Sequence, residues 1–84
     1  MDIRDIRTRL LELLTAIAPD IDAAHVDPQR AFRDQFDFDS MDALHFAAAV
    51  SEAFAINIPE RDYASLVSLE SAAQFVLSHV PGGA

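Results

Sequence analysis

No stretch of this sequence alternates polar and apolar residues over the length of a strand, whereas apolar residues at steps of three and four recur along most of it. That period belongs to the α-helix, which brings such positions onto one face, so the chain is expected to be helical throughout. Its abundance of alanine, the best helix former, points the same way. The clearest case is Ile3, Ile6, Leu10, Leu13, Leu14 and Ile17, one stripe that ends near Ala18 because Pro19 lacks an N–H and clashes with the preceding turn. In 84 residues such helices can enclose one modest core and no pocket walled on every side.

A long connection follows from Asp20 to about Phe38, in which Val26, Phe32 and Phe36 should pin the chain to the core despite Asp27-Pro28. A loop of this length in a small domain is more often functional than decorative. The second helix should start at the N-cap Asp39, place Asp42 near the positive end of its dipole, and run to Phe54 or Ala55. Ile56-Asn57-Ile58-Pro59 reads as an extended link, since the residue before proline avoids the α region. Glu60 to Ala64 fits one short helical turn. Ser68 then caps a last helix with Leu69, Ala72, Ala73, Val76 and Leu77 inward, ending before Pro81. The expected fold is all-α: a small antiparallel four-helix bundle of three main helices and one short one, with a long loop between helices one and two. It would occupy residues 1–80, leaving Pro81-Gly82-Gly83-Ala84 as a flexible tail.

Charge and composition exclude several functions. The chain has 14 acids and 6 bases, a net charge of −8, and after residue 33 its one base is Arg61. Such a surface repels nucleic acid and anionic membrane and attracts basic protein patches. No apolar run approaches the roughly 18 residues of a membrane span, and Met1-Asp2-Ile3-Arg4 does not open a signal peptide. A cytoplasmic monomer is expected. The absence of cysteine removes disulfides, thiolate nucleophiles and cysteine metal sites together, and it suits a reducing compartment.

No catalytic constellation stands out. Ser40 and His45 lie five positions apart on the second helix, a rotation of about 500°, so they point in divergent directions and cannot share a proton. Phe38-Asp39-Ser40-Met41-Asp42 is not a G-x-S-x-G elbow. His25, His45 and His79 fall in separate elements without metal-ligand spacing, and Asp34, Asp37, Asp39 and Asp42 lack the glycine and final glutamate of a calcium loop. Those four acids read as a solvated rim. The second helix, by contrast, carries two apolar stripes. Phe46, Ala47, Val50 and Phe54 form one; Met41, Leu44 and Ala48 form the other, with His45 and Glu52 beside it. Both cannot face the same small interior, so the second, with Asp42 and Glu52 at its margin, is expected at the surface as a partner-binding strip.

Ser40 follows the N-cap, in the first turn where unpaired N–H groups and the positive dipole end gather. A phosphate on its hydroxyl would be favourably held there, although the simplest role for a serine at a helix start is a cap. The wider context is more specific. Asp39-Ser40-Met41-Asp42, Phe54 fourteen positions after the serine, and Ile58-Pro59-Glu60 together resemble the acyl carrier protein family, and the likeness extends more loosely over the whole chain. The resemblance implies that Ser40, flanked by Asp39, bears a 4'-phosphopantetheine arm added from coenzyme A by a phosphopantetheinyl transferase. The arm's thiol would carry a substrate as a thioester to a loading ligase or acyltransferase and to downstream synthase enzymes, and the protein itself would catalyse nothing.

Departures from the family pattern indicate a specialised, free-standing member. Met41 stands where leucine is usual; His45, Ser51 and Ala53 stand where fatty-acid carriers bear acids; and Phe36-Asp37-Phe38-Asp39 replaces a glycine-containing turn. Partners that steer by charge on this helix would grip it less well. Acyl, polyketide and aminoacyl cargo all remain compatible with these residues. The rival is an unmodified helical interaction module using the Met41/Leu44/Ala48 strip, which leaves the serine's spacing as coincidence.

Overall fold

The computed structural model describes residues 2–80, so the expected tail at 81–84 lies outside the described residues. Among them are helices α1 (Ile3–Ile17), α2 (Phe32–Gln35), α3 (Ser40–Phe54) and α4 (Leu69–His79), with 3-10 segments at Ala23–His25 and Glu60–Leu66 and no strand. The described residues form an all-helical fold, as the periodicity indicates. Helix α1 starts where the Asp2 carboxylate accepts the Arg4 N–H at 3.0 Å and ends with Ala18 N–H on the Leu14 carbonyl. Its face of Ile6, Leu10 and Leu14 is fully buried, while Ile3, Leu13 and Ile17 flank the core half-buried. It packs against both α3 and α4, and the Glu60–Leu66 segment closes over α3 and α4.

The long connection is present and pinned to the core by Phe32, with Val26 and Phe36 packed against it, and its internal structure and the length of the short helix go beyond the expectation. The stretch from Asp20 to Phe38 is not a plain loop: it contains the Ala23–His25 turn and α2. Local side chains organise it, because the Gln35 carboxamide accepts from Asp27 N–H and donates to the carbonyls of Asp27 and Arg30, each at 2.8–2.9 Å. Backbone bonds from Phe32 N–H to Val67 O (2.8 Å) and from Glu70 N–H to Pro28 O (2.9 Å) then fasten it to the start of α4. The helical turn expected at Glu60–Ala64 also runs on to Leu66, whose side chain is buried.

Helix α3 ends abruptly. Ala55 adopts a left-handed conformation (φ 54°, ψ 44°), costly for a residue with a Cβ. The Schellman pair Ile56 N–H to Ser51 O and Ala55 N–H to Glu52 O holds it, and Ser51 Oγ donates to Ile56 O at 2.6 Å. The link that follows is anchored by the burial of Ile56 and Ile58. In α4 the capping box of Ser68 and Ser71 is present. Phe75 is buried there, whereas Leu77, expected in the stripe, is half-buried. Phe75 stacks on His79 with ring centroids 4.1 Å apart, which covers the ring at the edge of the core.

A single bidentate ion pair ties α1 to α4: Arg7 Nε and Nη2 each donate to a Glu70 carboxylate oxygen at 2.9 Å. These bonds, with Gln74 adding another, hold the Glu70 carboxyl below its ordinary value. A folded-state pKa depressed in this way contributes stability that is present above the unfolded value and lost as pH falls through the folded one. Glu70→Gln should therefore melt below wild type at neutral pH, and the gap should close as both are titrated below about pH 4. Thermal unfolding followed by circular dichroism across pH 3–7 checks this.

Candidate functional site

The start of α3 is built around Asp39. Its carboxylate accepts the Asp42 N–H at 2.9 Å, the Asp42 carboxylate accepts the Asp39 N–H at 3.2 Å, and Ala43 N–H bonds the Asp39 carbonyl. This is a capping box with aspartate where glutamate is usual. The cap is thus supplied by Asp39, and the hydroxyl of Ser40 takes no part in it. Ser40 occupies the first position of the helix and is exposed. The N–H groups of Ser40 and Met41 are used by neither bond of the box, so the dipole's positive end is open beside that hydroxyl.

Beside Ser40 lies an open cleft of about 130 Å³, lined by Phe32, Arg33, Phe38, Asp39, Ala43, Tyr63, Leu66 and Val67. Its walls come from three places: the end of the long connection, the first turns of α3, and the Glu60–Leu66 segment with Val67. In size it compares with an engineered protein cavity of about 150 Å³ that takes a benzene ring. Spacing rules do not reveal this cleft, because its residues are spread over more than thirty positions and become neighbours through tertiary packing. The one local hint is Tyr63 and Val67, bulky side chains with no place in a helical stripe.

The remaining candidate residues share one side of α3. Met41 is 57% exposed and Leu44 46%, and His45, Ala48 and Glu52 are exposed with them. At about 100° per residue these five fall within a third of the helix circumference, opposite the buried Phe46, Ala47, Val50 and Phe54. Asp42 is half-buried in the capping box. Glu52 also borders a shallow groove with Arg9, Leu13, Ala49 and Ala53. The structure does not gather the histidines: His25 pairs with Asp22 at 2.7 Å, and His79 contacts the Phe75 carbonyl. The Asp22 carboxyl is held low by the Ala24 N–H first and by His25 second. Among the described residues no group of three or more His, Asp or Glu is placed to hold a metal.

The family profile described as "Phosphopantetheine attachment site" matches residues 5–76. The chain belongs to this family. Its similarity to acyl carrier proteins is 29% identity over 79 residues with that of Rubrobacter xylanophilus, covering 94% of this chain and 96% of that one. With the acyl carrier protein of Acidothermus cellulolyticus it shares 28% over 72 residues, 86% of this chain and 84% of that one. With acyl carrier protein 2, mitochondrial, of Arabidopsis thaliana it shares 29% over 59 residues, 70% of this chain and 47% of that one. As a member of this family the chain is a phosphopantetheine-bearing carrier and not an enzyme. No described helix is long and apolar enough to cross a membrane.

The donor set at α3 fits a phosphodiester: an exposed hydroxyl, two N–H groups left over by the cap, and a guanidinium-bearing residue lining the same cleft. The cap is the feature on which that geometry rests. Asp39→Ala should lower stability by about 1 kcal/mol, the usual worth of an N-cap side chain, and weaken amide protection in the first turn of α3 while leaving α1 and α4 protected. Hydrogen exchange resolved by residue measures both.

Proposed function

We propose that Ser40 carries the 4'-phosphopantetheine arm and that the loaded protein serves a dedicated pathway. One observation carries the reading most directly: the helix start holds a serine whose capping duty has been taken by its neighbour, leaving an exposed hydroxyl at the open end of α3. A transferase would join Ser40 Oγ to the pantetheine phosphate of coenzyme A, breaking the pyrophosphate link and releasing the adenosine bisphosphate half. The proton of the hydroxyl leaves to a base on the transferase or to water. When bound, the arm supplies the thiol that a cysteine-free chain lacks, and it holds a substrate as a thioester.

The chain's own residues orient and present. Asp39 and Asp42 fix the backbone at the attachment point, and the Met41/Leu44/Ala48 face offers partners an apolar footing with Asp42 and Glu52 at its margin. Tethering replaces free diffusion with a high local concentration at each partner's active site. The partners in this reading are a phosphopantetheinyl transferase, a loading ligase or acyltransferase, and synthase enzymes for a specialised lipid, polyketide or aminoacyl product. The scarcity of acids on α3 supports the specialised assignment, since charge-steered enzymes lose on-rate when their target charge is removed. A reducing aqueous compartment such as the cytoplasm keeps such a thiol free. The exposed strip needs no separate role as an unmodified module, because docking of carrier partners accounts for it.

Purified protein incubated with coenzyme A and a promiscuous phosphopantetheinyl transferase should gain the mass of one arm, and Ser40→Ala should gain none. An equal gain in Ser40→Ala would move the attachment elsewhere. In reconstitution, general fatty-acid synthase enzymes should elongate chains on the holo protein far more slowly than on a housekeeping carrier; equal rates would overturn the specialised assignment.

A further inference from the structure

The six bases of this chain are all arginines, and most are committed. Arg4, Arg7 and Arg9 pair with the carboxylates of Asp2, Glu70 and Glu12, and Arg30 donates to the Asp34 carbonyl at 2.8 Å. Arg33 and Arg61 have no ion pair or side-chain hydrogen bond among the described residues. Only Arg33 of these two lines the cleft that also contains Ser40. Its freedom is notable in its setting: Asp34, Asp37 and Asp39 all lie within six positions, yet it is bonded to none of them.

We infer that Arg33 is a positioning residue for the arm, binding the non-ester oxygens of the phosphodiester formed on Ser40. This rests on the attachment reading above. Arg33 sits in the last turn of α2, whose place is fixed on the Ser40 side by the packing of Phe32 and Phe38 and on the other by the Phe32 N–H to Val67 O bond. A guanidinium is a rigid fork of donors that matches two oxygens of one phosphate, where a lysine offers a point charge. The negative charge arrives only with modification, and it arrives amid acids. Without a nearby cation it would be repelled by Asp37, Asp39 and Asp42; with Arg33 and the open α3 N-terminus it is held at the cleft mouth. The phosphate, one bond from Ser40 Oγ, is the anionic group of the arm that must lie here, whereas a carboxylate on a cargo would sit at the far end of a long flexible chain. Arg33 therefore sets the direction in which the arm leaves the protein.

The experiment uses holo protein whose arm ends in a free thiol, so that no cargo carboxylate is present, with the mass confirming modification. The arginine Nε–Hε spectrum of apo and holo wild type and the phosphorus-31 spectrum of holo wild type, Arg33→Gln and Arg33→Lys are recorded. Modification should shift the Arg33 Nε–Hε signal. The phosphorus signal of Arg33→Gln should move away from wild type, with Arg33→Lys between them, and the difference should shrink when salt is raised from about 0.1 M to about 1 M as the Debye length falls to about 3 Å. Arg33 is exposed, so circular dichroism should show all three proteins equally folded. A mass gain with an unmoved Arg33 signal, or a phosphorus signal identical in wild type and Arg33→Gln, overturns this inference alone. No mass gain in the wild type overturns the attachment reading and this inference with it.

Discussion

Three phenylalanine rings hold the Ser40 end of this protein together. Phe32 and Phe38 come from the long connection and Phe46 from the buried side of α3, with centroids 5.4 Å apart for Phe32–Phe38, 5.5 Å for Phe32–Phe46 and 6.5 Å for Phe38–Phe46. Phe32 and Phe46 are each 1% exposed. Edge and tilted contacts of this kind add about 0.5–1.5 kcal/mol per pair beyond the area they bury. Their larger effect is positional. They bring the end of a nineteen-residue connection against α3 within two turns of Ser40, so the surroundings of that hydroxyl are set by core packing rather than by the helix alone.

The charge pattern gains meaning from the same arrangement. Acids gather just before and within the first turn of α3, where they cap the helix or lie in solvent, while the outward face beyond them carries the exposed Leu44 and Ala48 with His45 and Glu52 beside them. In the proposed docking, a partner approaching this end would meet the acidic rim before the apolar strip. Under that proposal the rim would supply what charge steering there is, and Met41, Leu44 and Ala48 the short-range contact.

The sequence made local structure legible and left long-range structure hidden. The stripe of α1, its stop at Pro19, the cap at Asp39, the division of α3 into two faces and the cap at Ser68 all follow from rules that span a few residues, and the structure has each of them. The connection from Asp20 to Phe38 was harder to read, because its order depends on Gln35 reaching back eight residues to Asp27 and on backbone bonds to Val67 and Glu70. The proline at position 59 announced an extended link, but the inward turn of Ile56 and Ile58 depends on the left-handed Ala55, which no alanine advertises. At the candidate site, Ser40, Asp39 and the exposed strip could be named from spacing. The cleft and the free guanidinium of Arg33 could not, since both are defined by what lies across a gap and by which partners are absent.

The abrupt end of α3 has a mechanical consequence. Because Ala55 reverses the chain in a single residue and Ile56 and Ile58 are both sunk in the core, the Glu60–Leu66 wall hangs from α3 on a strap of five residues, 55–59, anchored along its length. The other wall, Phe32 and Phe38, is held by ring packing and by the backbone bonds from Phe32 N–H to Val67 O and from Glu70 N–H to Pro28 O. The two walls are thus joined to each other as well as to the core, because the Phe32 N–H bond ends on Val67, which lines the cleft from the other side, so the space beside Ser40 is set by that bond and the ring packing together.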